Sequence, residues 1–189
     1  MNKFTKITAV SLFALFLTAC DKPAENAQQT TQNPQSHQVT LNVNEQNIDD
    51  VRKFLDWDAK QIAILKDPQE VLKKASESKD PTKIKNALKQ LTDKANEVLA
   101  DADNLGLKDT NVNLLKDKAK ENLALSVIFV NESFGYLVQG KQPTEEEKQQ
   151  LNATYQKLAA SAQELQQVRE KLYQILAPKP AQEHAKPAK

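Results

Sequence analysis

Histidine is the side chain most often used as a metal ligand and catalytic base, and this chain has two, His37 and His184. Both lie in polar segments outside the predicted helices, so neither is placed to activate a serine, threonine or cysteine nucleophile. The motifs Glu-x-x-His and Cys-x-x-Cys-His do not occur, and three glycines are too few for a nucleotide-binding loop. The sequence therefore predicts a protein that is not an enzyme and that binds neither a metal nor a cofactor.

Two charged residues interrupt the apolar stripes of the predicted helices. At about 100° per residue, Asp58 lies at the centre of the stripe of the first helix and Arg169 at the centre of that of the last. In an antiparallel pair their depths match, roughly 15 and 12 Å from the shared end at ~1.5 Å per residue. We predict a partly buried ion pair that sets the register of these helices. The alternative is a rotation that turns Ala59 and Val168 inward and leaves both charges in water.

A second irregularity is Trp57 with Ile64, which lie one heptad apart and away from the centre of the first apolar stripe. An exposed Trp57–Ile64 pair would form a patch for a partner or for self-association, because aromatic residues are enriched at such surfaces. The alternative interpretation is that a neighbouring helix or the N-terminal segment covers both side chains.

Leu, Ala, Lys, Gln and Glu are abundant, and apolar residues recur at helical spacing in four segments between residues 48 and 177. The helix starts are marked by Ile48, by Asp80-Pro81, by Asp109 or Thr110, and by Thr144 with Glu147 at capping-box spacing. Gly106, Gly140 and Pro178 mark helix ends. Because the connections are short, the predicted fold class is all-α, an up-down-up-down four-helix bundle.

Each predicted helix has its own apolar stripe. The stripes are Ile48, Val51, Leu55, Ile62, Leu65, Val71, Leu72 and Ala75; Ile84, Leu88, Leu91, Ala95, Val98, Ala102 and Leu105; Val112, Leu115, Ala119, Leu123, Val127, Val130, Phe134 and Leu137; and Leu151, Tyr155, Leu158, Ala162, Leu165, Leu172 and Leu176. Asp67-Pro68 predicts that the first helix kinks or restarts near Pro68. Leu123 to Val130 is apolar nearly all round, which indicates either the most buried helix segment or a buried strand.

The segments on either side of the bundle have a different composition. Residues 20–47 are rich in Gln, Asn, Thr and Pro and are predicted to form a disordered tether, although Val39, Leu41 and Val43 alternate as in a short strand. Residues 178–189 contain Lys-Pro-Ala twice and are predicted to be a disordered tail. The predicted domain organisation is thus a leader over 1–19, a tether over 20–47, a bundle over 48–177 and a tail.

The leader has the order of an export signal, with Lys3 and Lys6 followed by an apolar run and a small-residue junction. The run of about 11 residues is too short to span a bilayer. Leu17-Thr18-Ala19-Cys20 resembles the lipobox of bacterial lipoproteins, and Cys20 is the only cysteine in the chain. The resemblance implies cleavage before Cys20 and acylation of its thiol and amine, including palmitate, which would anchor the protein to a membrane.

The resemblance also implies a place in the cell envelope. Asp21 after the cysteine resembles an inner-membrane retention signal of some lipoproteins, but Lys22 does not strengthen it, so inner and outer membranes remain alternatives. Without Lys3 and Lys6 the 26 basic residues become 24, against 25 acidic ones, so the net charge is −1 with histidine neutral. This balance disfavours a nucleic-acid partner.

Two functions remain open from the sequence. The first is a lipid-anchored bundle with coiled-coil-like faces that binds an envelope protein, associates with itself or acts as a spacer. The second is a module that binds a small molecule or lipid in a cavity between helices, lined by Leu123 to Phe134 and by small residues such as Ala95 and Ala162.

Overall fold

The computed structural model describes residues 43–177, and within them the chain forms four α-helices. They are α1 (Ile48–Ser78), α2 (Pro81–Asp103), α3 (Thr110–Gln139) and α4 (Glu145–Leu176). Each helix packs against the next one along the chain, and α1 also packs against α3. The predicted four-helix bundle is confirmed. Residues 20–42 of the predicted tether lie outside the described residues, and so do the leader and the tail.

The helix starts are set by local capping. The side chain of Asp80 accepts hydrogen bonds from the amides of Thr82 and Lys83, and Pro81 occupies the first turn, where its missing amide costs nothing. Of the two candidates for α3, Asp109 is the N-cap, and its Oδ1 accepts from the amides of Asn111 and Val112 at 2.9 Å each.

The α4 start and the α3 end also follow from local chemistry. Thr144 and Glu147 form the complete capping box, in which the Glu147 carboxylate accepts from the Thr144 amide and the Thr144 hydroxyl from the Glu147 amide. Gly140 ends α3 with a φ of 63°, a left-handed conformation that glycine adopts without a side-chain clash. These bounds agree with the predicted start and stop signals.

Pro68 lies inside α1, which continues without a break to Ser78, so of the two outcomes predicted at Asp67-Pro68, a kink or a restart, the restart is wrong. The residues that follow Pro68 explain this, because Leu72 and Ala75 are both buried in the core. Burial of these side chains offsets the hydrogen bond that proline cannot donate.

The core lies mainly among α1, α2 and α3. The predicted stripe of α2 is buried at every position except Leu105, which packs partly buried against the core.

Leu123 to Val130 is helical, so the strand alternative is wrong. Some stripe positions are exposed instead: Val71, Leu137 and Tyr155 are 42%, 53% and 37% accessible. At these positions the neighbouring helices cover the stripe only in part.

The last helix is attached over a narrow seam. Of its 32 residues, Leu158, Leu165 and Leu172 are buried, one in every heptad. Leu165 and Leu172 join the main core. Leu158 is buried apart from it, near the contact between the rings of Phe129 and Tyr155, whose centroids lie 5.9 Å apart. The N-terminal half of α4 therefore packs on α3 outside the main core.

Candidate functional site

A polar site lies buried between α1 and α4. Asp58 is 2% exposed, and its Oδ1 accepts a hydrogen bond from Nη2 of Arg169 at 2.5 Å. The same oxygen accepts from Nε2 of Gln61, one turn along α1, also at 2.5 Å. The structure thus brings together the two charges that stand at the centres of the apolar stripes. Ala59, which the alternative rotation would turn inward, is exposed, and Val168 is half-buried against the core.

The hydrogen-bond donors of Arg169 in the Asp58 site are only partly satisfied. The Arg169 side chain is 21% exposed, and its Nε is buried without a hydrogen-bond partner among the described residues. Charge-assisted hydrogen bonds are stronger than neutral ones, and removing one partner of a buried pair leaves a charge without compensation. The arrangement can therefore hold two helices together. Gln61 was missed by the sequence reasoning, although its position three residues after Asp58 was the available signal.

A second polar site ties the start of α1 to the loop before α3. Oδ2 of Asp50 accepts hydrogen bonds from the backbone amides of Lys108 and Asp109, at 2.6 and 2.7 Å. Nδ2 of Asn47 reaches the Asp109 carboxylate at 3.4 Å. The amide of Asp109 and, next to it, that of Lys108 lower the pKa of Asp50, against the opposing effect of burial. An acid in a first helical turn is common, so the sequence carried no signal for this contact.

The segment before α1 also contacts the bundle. Val43 packs against the core, and the amide of Asn44 donates to the side-chain oxygen of Asn47 at 2.9 Å. The amides of Asn47 and Ile48 both donate to the Asn44 carbonyl. The folded part of the chain thus extends to Val43, a few residues before the first predicted helix.

The interpretation of Trp57 and Ile64 as an exposed patch is wrong for Trp57. Trp57 is 5% exposed, its indole Nε1 donates to the Val98 carbonyl at 3.2 Å, and its ring lies 6.0 Å from that of Phe54. The reason is that α1 packs against α2 as well as α3, so its buried arc is wider than the central stripe. Ile64 remains 39% exposed on the same helix.

Across residues 43–177, no group of three or more His, Cys, Asp or Glu side chains is arranged to hold a metal ion. No helix among them combines the length and apolar character needed to cross a bilayer. A depression of about 360 Å³ lies on the outer face of α2, lined by Asn86, Lys89, Gln90, Asp93, Lys94 and Glu97. It does not include the residues proposed above to line a cavity between helices.

One protein family matches the folded region. Its description is uncharacterised lipoprotein PM1805, and the match covers residues 48–177, which is the whole four-helix region. The chain belongs to this lipoprotein family. No curated protein and no solved structure matches it. The description of the family agrees with the resemblance to a lipobox at Cys20. Cys20 itself lies outside the described residues of this lipoprotein.

The Asp50 site gives a pH prediction. Asp50→Asn is expected to lower the free energy of unfolding by about 1.5 kcal/mol at pH 6, because the two backbone amides lose a charged acceptor. Since the pKa of Asp50 is lower in the folded than in the unfolded protein, its contribution is present above its ordinary pKa of about 4 and is lost as the pH falls through the lowered value. Urea unfolding of both proteins between pH 6 and pH 2.5 measures the difference, which should shrink below about pH 4.

The matched control for this prediction is Asp49→Asn. Asp49 is adjacent in α1, but its side chain is 83% exposed and its ion pair with Arg52 is on the surface. Surface pairs contribute about 0 to 1 kcal/mol, so this variant should unfold nearly as the wild type does. A difference between wild type and Asp50→Asn that stays constant down to pH 2.5 would contradict the assigned role of Asp50.

Proposed function

We propose that this lipoprotein is exported, acylated at Cys20 and held at a membrane of the cell envelope, where its helical bundle acts as a non-enzymatic protein-interaction or spacer module. The observation that carries the proposal is the use of its buried polar groups. Asp50 bonds to the loop before α3, Asp58 to Gln61 and Arg169, and Ser126 to the Asn122 carbonyl. Asp50 and the Asp58–Arg169 bond connect separate parts of the bundle, whereas Gln61 and Ser126 bond within their own helices, and each of these is a structural use of polar chemistry.

The dimensions of the chain support a module that stands at a membrane surface. The four helices contain 23 to 32 residues, which corresponds to rods of roughly 35 to 48 Å at ~1.5 Å per residue. The described fold begins at Val43, a short distance along the chain from Cys20. Acyl chains contribute about 0.8 kcal/mol for each buried CH₂ group, so more than one chain on Cys20 would give a lasting anchor.

A candidate contact surface lies on the outer face of α3. Leu114 and Ile128 are 45% and 49% exposed, and their separation of fourteen residues places them on the same side of the helix, away from the buried stripe. Leu114 and Ile128 lie about 21 Å apart along the helix at ~1.5 Å per residue, so each would be a separate apolar contact for another protein surface. They form part of the proposed interaction module.

The anchor is tested by metabolic labelling with radioactive palmitate in a bacterial host that processes lipoproteins, with the leader intact. The wild type is expected to carry label and to sediment with membranes, and Cys20→Ala to carry none. Because Cys20 is the only cysteine, label on the wild type reports this position. Label on the Cys20→Ala protein, or an unlabelled wild type, would overturn the proposed anchor.

The role of the bundle is tested by native mass spectrometry of the chain from residue 20 onward with Cys20→Ala, purified from bacterial cells. A monomer or dimer without ligand is expected. A co-purified lipid or small molecule of defined mass would reject the interaction or spacer role in favour of the binding module. A photo-crosslinking amino acid at Leu114 or Ile128, with the exposed α2 position Lys89 as the control, then separates a contact surface from a spacer.

A further inference from the structure

The four helices differ in how much of each is buried. Twelve of the 31 residues of α1 are buried, seven of 23 in α2 and eight of 30 in α3, but three of 32 in α4. The three residues of α4 recur at intervals of seven, so one side chain in every two turns enters the interior. Local stability follows the amount of buried apolar surface, and α4 is therefore the least stable helix of the bundle.

The contacts of α4 are confined to one neighbour for most of its length. It packs mainly on α3, through the Phe129–Tyr155 contact, the Lys118–Glu164 ion pair at 2.6 Å, and a hydrogen bond from Asn122 to the Leu158 carbonyl at 3.3 Å. The ion pair is 22% and 26% exposed, so solvent weakens it. The bond between Arg169 and Asp58 is the strong polar connection from α4 to α1.

The other three helices have a core of their own. Most of the buried side chains of the main core belong to α1, α2 and α3, and α4 contributes Leu165 and Leu172. Asp50 and Trp57 fasten α1 to the α3 loop and to α2 without any contribution from α4. The connection between α3 and α4 is short and includes Gly140, whose left-handed backbone ends α3.

We propose that α4 opens from α1–α3 as a single unit, with residues 140–143 as the pivot and the Asp58–Arg169 hydrogen bond as the latch. Opening breaks that bond and exposes Leu158, Leu165 and Leu172, while α1–α3 keep their own core. The proposal rests on the packing of the described helices and is independent of the lipid anchor.

Native-state hydrogen exchange with mass spectrometry tests the proposal on the chain from residue 20 with Cys20→Ala, in a series of low urea concentrations. Because most helical stability in proteins comes from tertiary packing, α4 loses its intrahelical hydrogen bonds once it has opened. Its amides between residues 157 and 172 are therefore expected to exchange at least about tenfold faster than the slowest amides of α1–α3, through an opening with a smaller urea dependence. If the slowest amides of all four helices share one rate and one urea dependence, α4 does not open separately and the proposal is overturned.

Two variants provide a sharper test. Loss of the latch and a substitution in the core of α1–α3 should accelerate hydrogen exchange differently in the four helices. Arg169→Met is expected to speed exchange by about 100-fold in all four helices, since both α4 opening and complete unfolding break the latch. Ile84→Ala, in α2 and 2% exposed, should speed exchange at least about tenfold in α1–α3 and by a clearly smaller factor in α4, because α4 already exchanges through its own opening. Equal acceleration of α4 in the Ile84→Ala protein would overturn the proposal.

Two further variants supply a control and a substitute for a variant that does not fold. Arg52→Met is the matched control for loss of a guanidinium, since Arg52 belongs to a surface ion pair, and its exchange should equal that of the wild type. If Ile84→Ala does not fold, Ile84→Val gives the same pattern with a smaller change of about two- to tenfold. The wild-type measurement decides the proposal even if Arg169→Met does not fold.

Discussion

Arg169→Met is expected to lower the free energy of unfolding by about 3 kcal/mol, measured by urea denaturation followed by circular dichroism. The substitution keeps the apolar stem of the side chain but removes the guanidinium. Asp58 is then left as a buried carboxylate with Gln61 as its remaining hydrogen-bond donor. The value lies at the low end for a broken buried pair because Arg169 is 21% exposed and water can reach part of the site.

The double variant Asp58→Asn/Arg169→Met distinguishes a broken ion pair from a packing defect. Asparagine keeps an oxygen that accepts from Gln61 and carries no charge, so the site no longer contains an uncompensated carboxylate. The double variant should therefore be more stable than Arg169→Met alone, with most of the loss recovered. A double variant as unstable as Arg169→Met, or less stable, would show that the pair does not account for the effect.

Leu115→Ala is expected to lower the free energy of unfolding by about 2 to 5 kcal/mol, because Leu115 is 1% exposed and its removal leaves a cavity in the core. The neighbouring Leu114 is a control of the same residue type in the same helix, and it is 45% exposed. Leu114→Ala should change the free energy of unfolding by less than about 0.5 kcal/mol, since surface substitutions have small effects.

The comparison between the two leucines also tests the rotational position of α3. The helix could be formed correctly and still face the wrong way, in which case the two variants would exchange their effects. Thermal unfolding of the two proteins at one concentration is sufficient to measure the difference. Equal destabilisation by both substitutions would contradict the orientation that places Leu115 inside and Leu114 outside.

Local sequence patterns were enough to locate most of the helix boundaries. Capping depends on residues a few positions apart, as in the bonds of Asp80 and Asp109 to the amides that follow them, so a local pattern is enough. The sequence also determined the inward face of α2 and the central positions of Asp58 and Arg169 on their stripes, because helical periodicity fixes which residues share a face. The family match agrees with the lipoprotein class indicated by the leader.

Which side of each stripe is covered by a neighbour depends on the packing of the four helices. Trp57 is buried because α2 lies over it, whereas Tyr155 on the predicted seam of α4 is 37% exposed because that half of the helix packs on α3 alone. The contact of Asp50 with the α3 loop likewise joins residues 58 and 59 positions apart. Periodicity describes one helix at a time, and the placement of its neighbours depends on the packing of all four.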